Sequence, residues 1–305
     1  MKISISQPEA IYQLGHRKNQ EDCIYPSIGQ AGTSTCLFLL CDGMGGHEHG
    51  EVASRAVAQA IAGVLEPCFN EGIITDEQVQ QAVDEAYRQL DSIDDGSLRR
   101  AGTTMTLLAL HKGGATAAHI GDSRIYHFRP RTGTILYMSR DHSLVYELYQ
   151  AGEISFDEMK THPRKNIITR AVMPGADNKV QPDIMHTTDL MPGDYFLLCS
   201  DGIIENITDQ ELLTLFSEDI SDEEKCRKLT DLTADNADNH SAYIVRIDGV
   251  ETEPGDEDLA NDEQTAHFNA MHIHPMQNNI ATAGYERTKR PSWLKRFIGG
   301  LRTKW

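Results

Sequence analysis

Several acidic side chains stand at the ends of apolar runs, most of them beside glycine. Glu21-Asp22 precedes the run Cys23-Ile24-Tyr25, and Asp42-Gly43-Met44-Gly45-Gly46 closes the run CLFLLC. Gly121-Asp122-Ser123 joins two further runs, Ser200-Asp201-Gly202 closes YFLLC, and Asp238-Asn239 opens the stretch that leads into AYIVRI. A carboxylate at a strand end is aimed by a stiff element while its head stays at the sheet rim. Glycine beside it lets backbone approach a ligand closely. Converged, these sites would form an all-oxygen pocket, a donor set that suits Mg²⁺ or Mn²⁺ rather than Zn²⁺. Asp-Gly is also an ordinary hairpin turn, and any one of these pairs alone reads better as a turn. The whole set asks for more, because apolar runs feed directly into acid and glycine, twice with cysteine one or two positions ahead.

Positioning such a rim needs strands. Apolar, β-branched runs at 35–41, 102–111, 115–120, 124–128, 134–138, 195–199 and 242–247 predict them. Helical periodicity spans 51–65, 75–93, 144–152, 208–217 and 221–234. Thr75 to Gln78 and Ser221 to Glu224 have the spacing of a capping box, which marks two helix starts. Long helices alternating with adjacent strands predict a mixed α/β or α+β sandwich.

The 305 residues carry 46 acidic and 28 basic side chains, a net charge of -18, with 39% hydrophobic residues. That hydrophobic share supports a real core in one large domain or two small ones. The negative balance argues against nucleic acid as a partner, since phosphate binding needs clustered Lys and Arg. No apolar run reaches the roughly 20 residues of a membrane span. The N-terminus shows no secretory pattern and the six cysteines form no CxxC pair, so a reducing, cytoplasmic compartment is expected. Residues 251–263 hold seven acids and no base, whereas 287–305 hold seven bases and no acid. A folded domain over 1–250, an acidic and polar linker over 251–286 and a basic tail over 287–305 are therefore expected.

At this point the motifs resemble one family. Gly15-His16-Arg17 with Glu21-Asp22, Asp42-Gly43-Met44-Gly45-Gly46-His47, Ala101-Gly102-Thr103-Thr104 and Gly121-Asp122-Ser123-Arg124 come first. Asp141-His142-Ser143, Thr169-Arg170-Ala171, Ser200-Asp201-Gly202 and Asp238-Asn239-His240-Ser241 follow in order. Over about residues 9–248 the chain is similar to the metal-dependent, type 2C serine/threonine phosphatases of bacterial type. The resemblance implies an α+β fold, a four-layer α/β/β/α sandwich of two mainly antiparallel sheets flanked by helices, with a binuclear metal site at one end. It implies that Asp42 bridges two metals, that Asp201 and Asp238 ligate one of them, and that the Gly43 carbonyl ligates the other. Glu21 and Asp22 match acids that contact the metals directly or through water, and Asp122 matches a ligand for a weaker third ion. Arg17 matches the arginine that holds the substrate phosphate, for which its planar fork is suited. The cofactors implied are two Mn²⁺ or Mg²⁺ ions, which about 3.5–4 Å apart can share and acidify one water for in-line attack on phosphorus without a covalent intermediate. Phosphoserine and phosphothreonine proteins are the implied substrates, an opposing serine/threonine kinase the implied partner, and a monomer the expected state.

Some positions depart from the family pattern. Gln20 replaces a common Asn and keeps the amide; Ser241 replaces Thr and keeps the hydroxyl. Met44 stands where some members carry a histidine proposed as general acid, and methionine donates no proton. His47 and His49 read better as a solvated helix start than as ligands. Residues 146–174 match the family's flap, where Glu153, His162, Arg164 and Lys165 either meet substrate or lie in an exposed loop. In the tail, Trp293, Leu294, Phe297, Ile298, Leu301 and Trp305 recur at helical spacing among Lys295, Arg296, Arg302 and Lys304. Such a segment suits an anionic membrane surface, an acidic partner or a fold-back onto this acidic domain. The alternative to an enzyme is a catalytically silent relative that binds phosphoproteins; it would have lost metal carboxylates, and all six side-chain candidates are present.

Overall fold

The computed structural model describes residues 1–45, 49–94, 101–175 and 179–251. In chain order the strands are β1 (Lys2–Ile5), β2 (Glu9–Gln13), β3 (Cys23–Tyr25), β4 (Leu37–Cys41), β5 (Gly43–Met44), β6 (Gly102–Thr103) and β7 (Met105–His111). They continue with β8 (Gly114–Ile120), β9 (Arg124–Arg129), β10 (Thr134–Met138), β11 (Asp183–Thr187), β12 (Tyr195–Cys199) and β13 (His240–Glu251). The α-helices are α1 (His49–Cys68), α2 (Asp76–Ile93), α3 (Leu144–Gln150), α4 (Phe156–Thr161), α5 (Asp201–Ile204), α6 (Asp209–Phe216) and α7 (Asp222–Thr233).

Two antiparallel sheets stack face to face. One runs β1-β13-β12-β9-β10 with β2 also on β13, and the other runs β11-β8-β7-β4-β3. The central strands β4 and β12 are buried at every position and read as continuous apolar runs because both of their faces are covered. In β4, Leu37, Leu39 and Cys41 face the core beneath α1 and α2, while Phe38 and Leu40 face the core between the sheets. In β12, Phe196 and Leu198 enter that same inter-sheet core, and Tyr195, Leu197 and Cys199 pack under α6 and α7. Period-two alternation thus divides each run between two cores and builds the four-layer α/β/β/α sandwich.

The helix starts follow local chemistry. Thr75 forms the full capping box with Gln78 at the head of α2, whereas Ser221 accepts from the Glu224 N–H. Two further boxes, Ser155 with Glu158 and Thr208 with Glu211, head α4 and α6. Beyond the expected elements lie β1, β2 and β11, short strands that pair at or near sheet edges, and the short helices α4 and α5. Glu251, counted above with the linker, ends β13 opposite Lys2. The rest of the linker, the tail and His47 lie outside the described residues. No described helix is long and apolar enough to cross a membrane.

Candidate active site

β4 delivers Asp42 to the rim, and Thr103 at the end of β6 and Thr104 just ahead of β7 fix its backbone. The Asp42 N–H donates to Thr104 Oγ1 at 2.9 Å, and the Thr104 N–H and the Thr103 hydroxyl both donate to the Asp42 carbonyl at 2.9 Å. Thr104 Oγ1 also lies 2.7 Å from Ser123 Oγ, so one buried hydroxyl ties the Asp42 strand end to the Asp122 turn. Gly43 follows, where a Cβ would sit 2.2 Å from the Gly50 carbonyl and 2.5 Å from the Glu21 carbonyl. The α1 start and the Glu21 segment press on the backbone there, and no side chain fits.

Glu21 and Asp22 enter from the loop before β3. The Glu21 N–H donates to Asn239 Oδ1 at 2.8 Å, and the Ser54 hydroxyl donates to the Glu21 carbonyl at 2.6 Å. The Asp22 N–H is accepted by the Gln20 amide oxygen at 3.2 Å, a direct use of the retained amide. Asp22 is 1% exposed, and its Oδ2 accepts from Ser200 Oγ at 3.0 Å. That same oxygen of Ser200 accepts from the Ser241 N–H, which joins the ends of β12 and β13 behind the acid. Asp201 begins α5, and Asp238 lies just ahead of β13, where it pairs with Arg17 at 2.5 Å. Asp122 sits in the β8–β9 turn.

The electrostatics explain what such a rim requires. One carboxylate oxygen each of Asp22, Asp122 and Asp201 is sealed from solvent with no hydrogen-bond partner among the described residues. Burial, with Asp201 and Asp238 adding repulsion, pushes Asp22 up to about 7. Burial and Asp201 push Asp122 up to about 8. Asp201, desolvated beside Asp238, is pushed up to about 6 while it lies in hydrogen-bonding reach of Asp42. Asp42 is driven well above the carboxylate range, by burial first and then by Asp22, Asp201, Asp122 and Asp238. Burial also raises Glu21. Sealed, unpartnered carboxylate oxygens that repel one another fit divalent cations, whose charge would reverse that logic.

The remaining sequence candidates are placed as follows. The flap emerges between β10 and β11 and carries α3 and α4; Glu153 and Arg164 are exposed, and Lys165 Nζ reaches Glu205 Oε1 at 3.5 Å beside α5. His49 opens α1. Asn239, Thr104, Ser200 and Ser54 support the acids without having been singled out. Three of them lay inside or beside the quoted motifs, but only tertiary pairing reveals what a hydroxyl or amide holds. A separate cluster, His119, His142 and Asp183, presents ligand-type atoms within 4.8 Å of one another.

Comparisons with known proteins identify the family and the fold. A family model described as protein phosphatase 2C matches residues 18–242. A putative protein phosphatase 2C-type from Streptococcus pyogenes is 33% identical over 258 residues, covering 83% of this chain and 100% of that protein. The crystal structure of serine/threonine phosphatase Stp1 from Staphylococcus aureus superposes with a TM-score of 0.69 at 30% identity, over 82% of this chain and 98% of that one. The catalytic domain of the serine/threonine phosphatase PstP, solved with 2 manganese ions, gives a TM-score of 0.65 at 26% identity over 81% of this chain and 100% of that chain. Rim, sheets and relatives meet in one assignment: the chain belongs to the protein phosphatase 2C family, whose members depend on metal ions.

Proposed function

We propose that this phosphatase hydrolyses phosphoserine and phosphothreonine in proteins at the acid rim around Asp42. The observation that carries the reading is the set of sealed, unpartnered carboxylate oxygens on Asp22, Asp122 and Asp201, which stand at the ends of β3, β8 and β12 and repel one another. Asp42, Asp201, Asp238, Asp22, Glu21 and the Gly43 carbonyl would hold two ions, Mn²⁺ or Mg²⁺, with Asp122 holding a weaker third. Bound there, the ions would neutralise the acids and the phosphoryl oxygens and acidify water.

The chain's own groups define the rest. Arg17 is half exposed on its loop, so its fork can exchange Asp238 for phosphoryl oxygens. A cysteine nucleophile is disfavoured at this rim. Cys41 and Cys199 are fully buried; burial pushes Cys199 up to about 12 and Cys41 well above the thiol range, which removes the thiolate. Direct attack by a metal-activated water, with no covalent enzyme intermediate, is the route this reading takes, as the family resemblance implies. Met44 has no proton to give, so the leaving hydroxyl takes its proton from solvent.

We place the catalytic domain at 1–250, the acidic linker at 251–286 and a basic docking tail at 287–305. The cell's own serine/threonine kinase would supply the substrates. We further propose a cytoplasmic monomer whose basic amphipathic tail contacts a membrane surface or a partner. The test is hydrolysis of a phosphothreonine peptide with Mn²⁺, with Mg²⁺ and with excess EDTA, beside Asp201→Asn. Metal-dependent turnover lost in the variant is expected. A folded, metal-binding but inactive wild type would favour a silent binding protein, and metal-independent turnover would overturn the site.

A further inference from the structure

Two buried histidines, His119 and His142, meet the exposed Asp183 where the flap leaves the sheet, and two features argue against reading the cluster as a cation site. The Gly121 N–H donates to His142 Nδ1 at 3.0 Å, so the neutral ring carries its hydrogen on Nε2 and has no lone pair there to offer. Arg170 fills the space a cation would take, with NH1 3.0 Å from Asp183 Oδ1 and 3.3 Å from His142 Nε2. The arrangement is a clamp. His142 Nε2 faces Asp183 Oδ2 at 3.3 Å, which holds the ring tautomer, and His142 pulls Asp183 down to about 2. His119 stacks on the same ring at 4.6 Å between centroids, itself anchored through Nε2 to the Arg140 carbonyl at 2.8 Å.

What the clamp grips is one residue. The His142 N–H donates to the Gly121 carbonyl at 2.9 Å while the His142 ring accepts from the Gly121 N–H, so both backbone groups of Gly121 are held by a single side chain and its own backbone. Gly121 precedes Asp122 and has φ +109, with the Thr104 side chain where a Cβ would lie. On the flap side, the His142 carbonyl accepts from the Thr169 N–H at 2.8 Å, and Asp141 binds Arg124 through both oxygens at 2.7 Å. The flap's two ends therefore meet at His142, one residue removed from an acid of the rim.

We infer that His142, oriented by Asp183, is a positioning residue that couples the flap's placement to the aim of the Asp122 carboxylate, and so to cation binding there. This rests on the reading of Asp122 as a cation ligand. Groups that orient ligands typically carry about 10–100-fold in metal affinity. The experiment is calorimetric titration of the full chain with Mn²⁺, together with amide hydrogen exchange at Gly121 in EDTA, for wild type, Asp122→Asn, His142→Ala, His142→Asn and Asp183→Ala.

His142→Ala is expected to weaken the weakest Mn²⁺ step by about ten-fold or more and to speed exchange of the Gly121 amide. His142→Asn, whose Oδ1 can accept from the same N–H, is expected to restore most of both. Asp183→Ala should shift both in the same direction by less, and it carries the test if His142→Ala does not fold. Loss of the weak step in Asp122→Asn with unchanged Mn²⁺ binding in His142→Ala overturns the inference. Equal damage from His142→Ala and His142→Asn also overturns it, since a merely structural role would not be rescued. An unchanged isotherm in Asp122→Asn overturns the ligand reading instead, and the clamp then stands or falls on the Gly121 amide alone.

Discussion

Thr104→Val isolates how much of the site is held by one hydroxyl. The substitution keeps shape and burial and removes an oxygen that accepts from the Asp42 N–H at 2.9 Å and meets Ser123 Oγ at 2.7 Å. Both threonine and serine are fully buried, so solvent cannot take over either bond in the native packing. An orphaned buried polar group costs about 1–3 kcal/mol. Two at about 2 kcal/mol each give about 4 kcal/mol, which for a domain of this size corresponds to roughly 8–16 °C in Tm. Rotation of the Ser123 hydroxyl toward another acceptor would bring the loss down toward half of that. Turnover should fall as well, because one of the three bonds that hold the Asp42 backbone at the end of β4 is gone. Thr104→Ser keeps the oxygen and should recover activity, with a smaller thermal loss from the missing methyl. Thermal melts in EDTA and in Mn²⁺, with kcat on a phosphothreonine peptide, decide the matter. A valine variant that melts within about 2 °C of wild type and retains full kcat would refute the idea that this hydroxyl sets the Asp42 backbone.

Three further outcomes are expected. Cys199→Ala should retain metal-dependent turnover, since the thiol is buried and protonated; abolished turnover in a folded variant would reinstate a cysteine nucleophile. His111, hydrogen-bonded to Thr116 at 2.8 Å, is pulled by burial from 6.5 down to about 4. Its neutral form therefore stabilises the fold above pH 6.5, and that contribution is lost as pH falls toward 4, amounting to about 3 kcal/mol at most. His111→Gln should remove this part of the acid sensitivity, so that the wild-type advantage in Tm shrinks between pH 6.5 and 4.5; a constant difference would contradict it. Trp293 and Trp305 are the only tryptophans in the chain, so their emission reports on the tail alone. Anionic vesicles should shift it to the blue while neutral vesicles leave it unchanged, and a shift already present without vesicles would favour fold-back onto the acidic domain.

The acids were legible because each borders an apolar run that reads as a strand. Asp42 after CLFLLC and Asp201 after YFLLC are the clearest cases. The supports were not legible. Asn239 reaches back to Glu21 across 218 positions, and Ser200 meets Asp22 across 178. Nothing local marks an amide or hydroxyl for such a role. The edge strands escaped for a different reason: KISI and EAIYQ are short, mix polar with apolar positions, and gain their conformation from pairing with β13. β11 likewise opens on Asp183 and runs half buried, too weak a pattern to stand out from the flap that precedes it. His142 was visible within a motif, but its hold on Gly121 depends on the β9–β10 hairpin returning the chain across 21 residues.

The pairing of β1 with the end of β13 has a mechanical side. Lys2 lies opposite Glu251, so the described chain begins and finishes at the same end of an antiparallel ladder. A load applied between those two points would peel this ladder one hydrogen bond at a time instead of shearing the whole row together. The first casualty would be β1, an edge strand that carries none of the acids. β2 would stay paired to the start of β13, from His240 to Ile244, beside Asp238 and the Arg17 loop. Tension transmitted along the linker would thus be absorbed by an expendable strand while the catalytic rim kept its register.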